Sequence, residues 1–109
     1  MGASMNATTS HPPVDLAHLA RQTGGNDALG REVLRMFMDG TVDDLERLRL
    51  ASGTERREIA HLIVGSARAI GAGSVAEAAA AVDAGGDSLS GLDEALTAAN
   101  RFIAAYLSG

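Results

Sequence analysis

Apolar residues recur along most of the chain at spacings of three and four, the period of an α-helix rather than of a strand. Five helical segments follow from that pattern, and no strands. The first, Val14 to about Thr23, is short, with Leu16, Leu19 and Ala20 on one side and Gly24-Gly25 to stop it. Asn26 can then cap the next helix through its side-chain oxygen. The second, about 27–51, carries a stripe of Phe37, Thr41, Leu45 and Leu48, widened by Leu34, Met38 and Val42, as expected of a bundle helix. Gly30 and Gly40 each cost about 1 kcal/mol relative to alanine inside it. The third, about Thr54 to Gly71, has an expected core stripe of Ile59, Leu62, Ile63, Ser66 and Ile70. After the Gly71-Ala72-Gly73 break, Ser74-Val75-Ala76-Glu77 has the form of a capping box, opening an alanine-rich fourth helix that ends at Gly85-Gly86. The last, about 90–107, presents Leu92, Leu96, Ala99, Ile103 and Tyr106 on one face. Four longer helices joined by short loops predict an all-α antiparallel up-down four-helix bundle, with the short N-terminal helix laid across it.

Composition sharpens this picture. Both prolines fall within the first 13 residues, leaving a body rich in alanine and leucine, which are strong helix formers. Residues 1–12 are expected to be a disordered tail and 13–109 a single domain. A net charge of −5 argues against nucleic-acid binding, which needs a basic stripe. The absence of cysteine removes disulfides, thiolate metal sites and thiol nucleophiles. No stretch approaches the roughly 18 apolar residues that cross a membrane, so a cytoplasmic protein is the expectation. The apolar faces can all be used within one bundle, so a monomer is expected.

Chemistry concentrates on the third helix. At about 100° per residue, His61 falls opposite the expected core stripe and points to solvent. Arg57, one turn before it, Arg68, two turns after it, and Val64 and Gly65 share that outer face. Each has a use if the imidazole accepts a phosphoryl group. A solvent-facing histidine is largely neutral near pH 7 and so can act as a nucleophile. A guanidinium stabilises charge on the transferring group. A glycine one turn away lets a partner's loops approach the ring, and phosphoryl transfer asks for positioning and charge neutralisation above all.

The segment His61-Leu62-Ile63-Val64-Gly65-Ser66-Ala67, followed by Ile70-Gly71-Ala72, resembles the signature of histidine-containing phosphotransfer domains, whose common form is His-x-Leu-Lys-Gly-Ser-Ser/Ala and then aliphatic-Gly-Ala. Glu32-Val33-Leu34-Arg35-Met36-Phe37 through Leu45-Glu46-Arg47-Leu48 is similar to the family's second helix. The resemblance spans roughly residues 15–85. It implies a four-helix bundle with His61 as phosphoacceptor halfway along an exposed helix face. It also implies partners: receiver domains of response regulators and a sensor or hybrid kinase. No cofactor is expected on this chain, since the partner receiver supplies Mg²⁺. The chain departs from the common form at Val64, where the family has lysine; Arg68 is the nearest candidate for that role, and Val64 offers apolar contact to a partner instead.

Other polar residues read more plainly. His18 is expected at the surface of the first helix and His11 in the tail, neither with a role. Asp43-Asp44 and Asp93-Glu94 sit on outward faces or in first turns, where acids suit the helix dipole. Gly71-Ala72-Gly73-Ser74 has no preceding strand and no following lysine, so it is a helix break rather than a phosphate cradle. The expected function is a phosphorelay intermediate, a phosphocarrier without nucleotide-binding machinery. The alternative is an adaptor of the same shape that binds receivers or kinases without being phosphorylated.

Overall fold

The computed structural model describes residues 12–86 and 88–109, and these form five helices with no strand among the described residues. They are α1 (Leu16–Gln22), α2 (Asp27–Leu50), α3 (Gly53–Ile70), α4 (Gly73–Asp83) and α5 (Ser90–Ser108). Each of the four longer helices packs on its neighbours in chain order, and α5 closes the ring against α2. With connections as short as Ala51-Ser52 and Gly71-Ala72, sequential helices run antiparallel. The expected bundle is the observed one. The expected tail and His11 lie outside the described residues apart from Pro12, whereas Val14 is already fully buried.

Local chemistry explains the boundaries. The Asn26 side chain accepts from the Leu29 backbone N–H at 3.0 Å and so begins α2, and the Asp15 carboxylate does the same for α1 through the His18 N–H. α3 ends on Gly71, whose φ of 75° is a left-handed conformation that costs any residue with a Cβ. The Ala72 N–H reaches back to the Ala67 carbonyl at 2.8 Å and the Gly71 N–H to that of Arg68, a Schellman ending. Ser74 does not form the expected capping box: α4 starts earlier, at Gly73, and Ala72 stands before it with no side-chain cap. The reason is that the Schellman turn of α3 feeds directly into α4, leaving no room for a separate capping residue.

Side chains from all the helices meet in one core. Leu34, Phe37, Leu45 and Leu48 of α2 and Leu92, Leu96, Ala99 and Ile103 of α5 are buried as their spacing predicts. Thr41 is buried with them because its hydroxyl donates to the Phe37 carbonyl at 2.7 Å within its own helix. Val42, expected to widen the stripe, is 62% exposed; it lines an open groove between α2 and α5.

The larger correction concerns α3. Its buried set is Ile59, Ala60, Ile63, Val64, Ala67 and Ile70, whereas Leu62 is 58% exposed and Ser66 is also exposed. The buried face is rotated by roughly 70° from the expected one. The cause is α4. Its buried residues Val75, Ala76, Ala79 and Val82 are small, so α4 approaches α3 closely and covers the small residues Ala60 and Ala67 together with Val64. The side of α3 bearing Ile59, Ile63 and Ile70 completes the core.

One acid is strained by its placement. Half-buried Asp44 has its carboxyl pKa raised, first by desolvation and then by the neighbouring Asp43, while Arg47 at 3.4 Å opposes the shift. A raised folded-state value means that folding favours the protonated form, so this contribution is present in acid and lost as pH rises through the raised value. Asp44→Asn should therefore raise stability slightly at pH 7, by about 0.5 kcal/mol or less. In urea melts the gain should vanish as the pH falls below the ordinary carboxylate range; a loss of stability at pH 7 would contradict this account.

Candidate functional site

His61 stands near the middle of α3 with 75% of its side chain exposed. The ring lies at the rim where α3 meets the end of α4, in an open cleft of about 530 Å³ lined by Thr54, Arg57, Glu58, His61, Leu62 and Asp83. Its Nδ1 lies 3.1 Å from Oδ2 of Asp83, the last residue of α4. Arg57, one turn before His61, donates through Nε to the Asp83 backbone carbonyl at 3.2 Å. That carbonyl belongs to the last turn of α4, where backbone acceptors lack helical donors. Arg57 and His61 thus both fasten onto one residue of the neighbouring helix.

The other expected site residues divide. Gly65 is exposed, and a Cβ built on it would have nothing within 4 Å, so the surface one turn beyond His61 is open to an approaching partner. Arg68 is exposed on the same side, about 10 Å further along the helix axis, and does not line the His61 cleft. Val64 does not share the outer face: it is only 5% exposed and belongs to the core. It therefore offers no contact to a partner. Its burial follows from the same rotation toward α4 that exposes Leu62. Arg57, at the cleft, is the nearer cation to the ring.

Two residues escaped the sequence. Asp83 carried one signal: an acid in the last turn opposes the helix dipole, which asks for a local reason. The His61 ring supplies it. His18, expected to be idle, lies with Nε2 2.9 Å from the Arg68 carbonyl. A carbonyl only accepts, so Nε2 carries the proton and His18 pins α1 to the end of α3, beside the Asp15 N–H to Gly71 carbonyl bond of 3.0 Å. Nothing in the spacing of α1 signals that contact. Among the described residues no three His, Asp or Glu side chains are grouped to hold a metal ion, and no helix is long and apolar enough to cross a membrane.

The crystal structure of the histidine phosphotransferase ShpA from Caulobacter crescentus matches the chain with a TM-score of 0.75 and 33% sequence identity, covering 88% of this chain and 91% of that one. The chain belongs to the histidine-containing phosphotransfer family. No family model and no curated protein sequence matches it. Within a histidine-containing phosphotransfer domain, the departure at position 64 takes on a structural meaning. At this position the chain has packed an apolar side chain under α4, where the family's common form carries a cation. The guanidinium that lines the same cleft as the ring is that of Arg57, one turn upstream.

Proposed function

We propose that the chain is a phosphorelay intermediate. His61 accepts a phosphoryl group from the aspartate of a receiver domain, or from a hybrid kinase, and gives it to another receiver's aspartate. The observation that carries this reading is the exposed His61 ring, held at the rim of α3 above the open surface at Gly65, in a chain of this family.

The chemistry asks little more of the chain. A phosphoryl group moves through a transition state stabilised by positioning and by charge. The partner receiver brings the Mg²⁺ and the aspartate, and this chain presents the imidazole with Arg57 beside it. The docking face includes the exposed Leu62, Gly65 and Arg68. Across the α2–α3 groove it continues to Met36, which is 64% exposed.

Incubation with a receiver carrying labelled phosphoaspartate tests the reading: acid-labile, base-stable label should move to this chain. Binding without label would favour an unphosphorylated adaptor, and neither would leave a purely structural bundle. Gly65 provides a second test in which two readouts move oppositely. Gly65→Gln places a good helix former in open space and should stabilise the fold by about 0.5–1 kcal/mol. The same side chain obstructs the approach to His61 and should slow transfer from the receiver. A melting temperature that rises while transfer is unchanged would show that the partner does not approach across Gly65.

A further inference from the structure

We infer that Asp83 is a positioning residue that fixes the tautomer of His61 and directs the phosphoryl group to Nε2. The inference rests on the phosphoacceptor reading above and says which atom of that residue reacts and what prepares it.

The geometry supplies the argument. Nδ1 of His61 faces Oδ2 of Asp83 at 3.1 Å, and a carboxylate only accepts hydrogen bonds. In the neutral ring the single proton therefore sits on Nδ1, and the lone pair sits on Nε2. Free imidazole side chains prefer the opposite tautomer, so the choice is imposed by the protein. The imposing group is itself held: Asp83 closes α4, is only about one-third exposed, and its carbonyl receives the Arg57 Nε–H. Removing a like acid from a helix end would relieve the dipole, so the placement costs helix stability and is offset by the contact with the ring.

The step then balances without a proton moving. The Nε2 lone pair forms a bond to phosphorus, the bond from phosphorus to the receiver's aspartate oxygen breaks, and that aspartate leaves as a carboxylate with the electron pair. The ring keeps its Nδ1 proton and becomes positive. That charge appears 3.1 Å from the Asp83 carboxylate, which stabilises it more than it stabilised the neutral ring, as an aspartate does behind a catalytic imidazole. The return transfer reverses each change. Arg57 serves in this arrangement through Asp83, by holding the end of α4 against α3.

The test reads the tautomer directly and needs no phosphoryl donor. In long-range proton–nitrogen correlation spectra of the intact chain, at a pH where the ring is neutral, His61 should show the proton on Nδ1. Asp83→Ala should return it to Nε2, with the melting curve checking that the bundle persists. Transfer from a phosphorylated receiver should slow by roughly tenfold in the variant, the loss expected when a charge-assisted hydrogen bond is removed. Phosphorus–nitrogen coupling should place the label on Nε2 in the wild type. A His61 proton on Nε2 in the wild type, or a tautomer unmoved by Asp83→Ala, overturns the inference while leaving His61 as phosphoacceptor. The expected tautomer in a chain that takes no label overturns the phosphoacceptor reading instead.

Discussion

A chain with His61 replaced by glutamine should take no label from a phosphorylated receiver above background, a loss of at least about a thousandfold, or more than about 4 kcal/mol of barrier. The size follows from what is removed. Glutamine fills a similar volume, yet its amide nitrogen has no free lone pair, so no second nucleophile takes over. Ser66 does not substitute, since no basic side chain is placed to deprotonate it. The fold should hardly respond, because 75% of the His61 side chain lies in solvent and exposed substitutions usually change stability by about 0.5 kcal/mol or less. Among the described residues, the hydrogen bond lost is the one with Asp83. Receiver binding should persist, since the apolar part of the face, Leu62 and Met36, is untouched. Label retained on His61→Gln would move the phosphoacceptor elsewhere and sink the proposed function.

How far the sequence led can be argued from particular residues. Leu92, Leu96, Ala99 and Ile103 were legible because α5 presents one unbroken stripe of apolar residues to a core formed on one side. Asn26 was legible because a cap is decided within four residues. The phase of α3 was not, because two helices cover it from different sides. A reading that weights large side chains puts Leu62 inward, whereas Ala60 and Ala67 are the residues that let another small-residue helix come close. His61 lay far from the core direction in both phases and stayed outside under either. Val64, on the outer face in the expected phase, came to the edge of the rotated core face and went in. Contacts between helices, such as His61 with Asp83 and His18 with the Arg68 carbonyl, depend on how ends of different helices align. Periodicity within one helix holds no information about that alignment, and only the unfavourable charge at the end of α4 hinted at it.

The junction of α1 with the end of α3 gives the largest expected effect on stability. Gly71→Ala should cost about 3 kcal/mol, through two additive causes. A φ of 75° places any non-glycine residue in the left-handed region at about 1–2 kcal/mol. The added Cβ would also lie 2.7 Å from Asp15 Cβ, 3.1 Å from the Asp15 carbonyl oxygen and 3.2 Å from its nitrogen. Two of those atoms are backbone, so no side-chain rotation relieves the contact and the start of α1 must move. Moving it stretches the Asp15 N–H bond to the Gly71 carbonyl and the His18 bond to that of Arg68, each worth about 1 kcal/mol when intact. It also loosens Val14 and Leu19 from the core. For a domain of this size, 3 kcal/mol should lower the melting temperature by more than about 10 °C. Gly24→Ala is the control: its φ of 64° is similar, but nothing lies within 4 Å of the new Cβ, so only the conformational cost of about 1–2 kcal/mol should appear. Equal losses at the two glycines would show that α1 does not bear on Gly71 tightly enough to stabilise the fold. Transfer by the folded fraction of Gly71→Ala should stay close to that of the wild type. His61 stands about 15 Å up the same helix, and its ring is held by α4, which the displaced α1 does not touch.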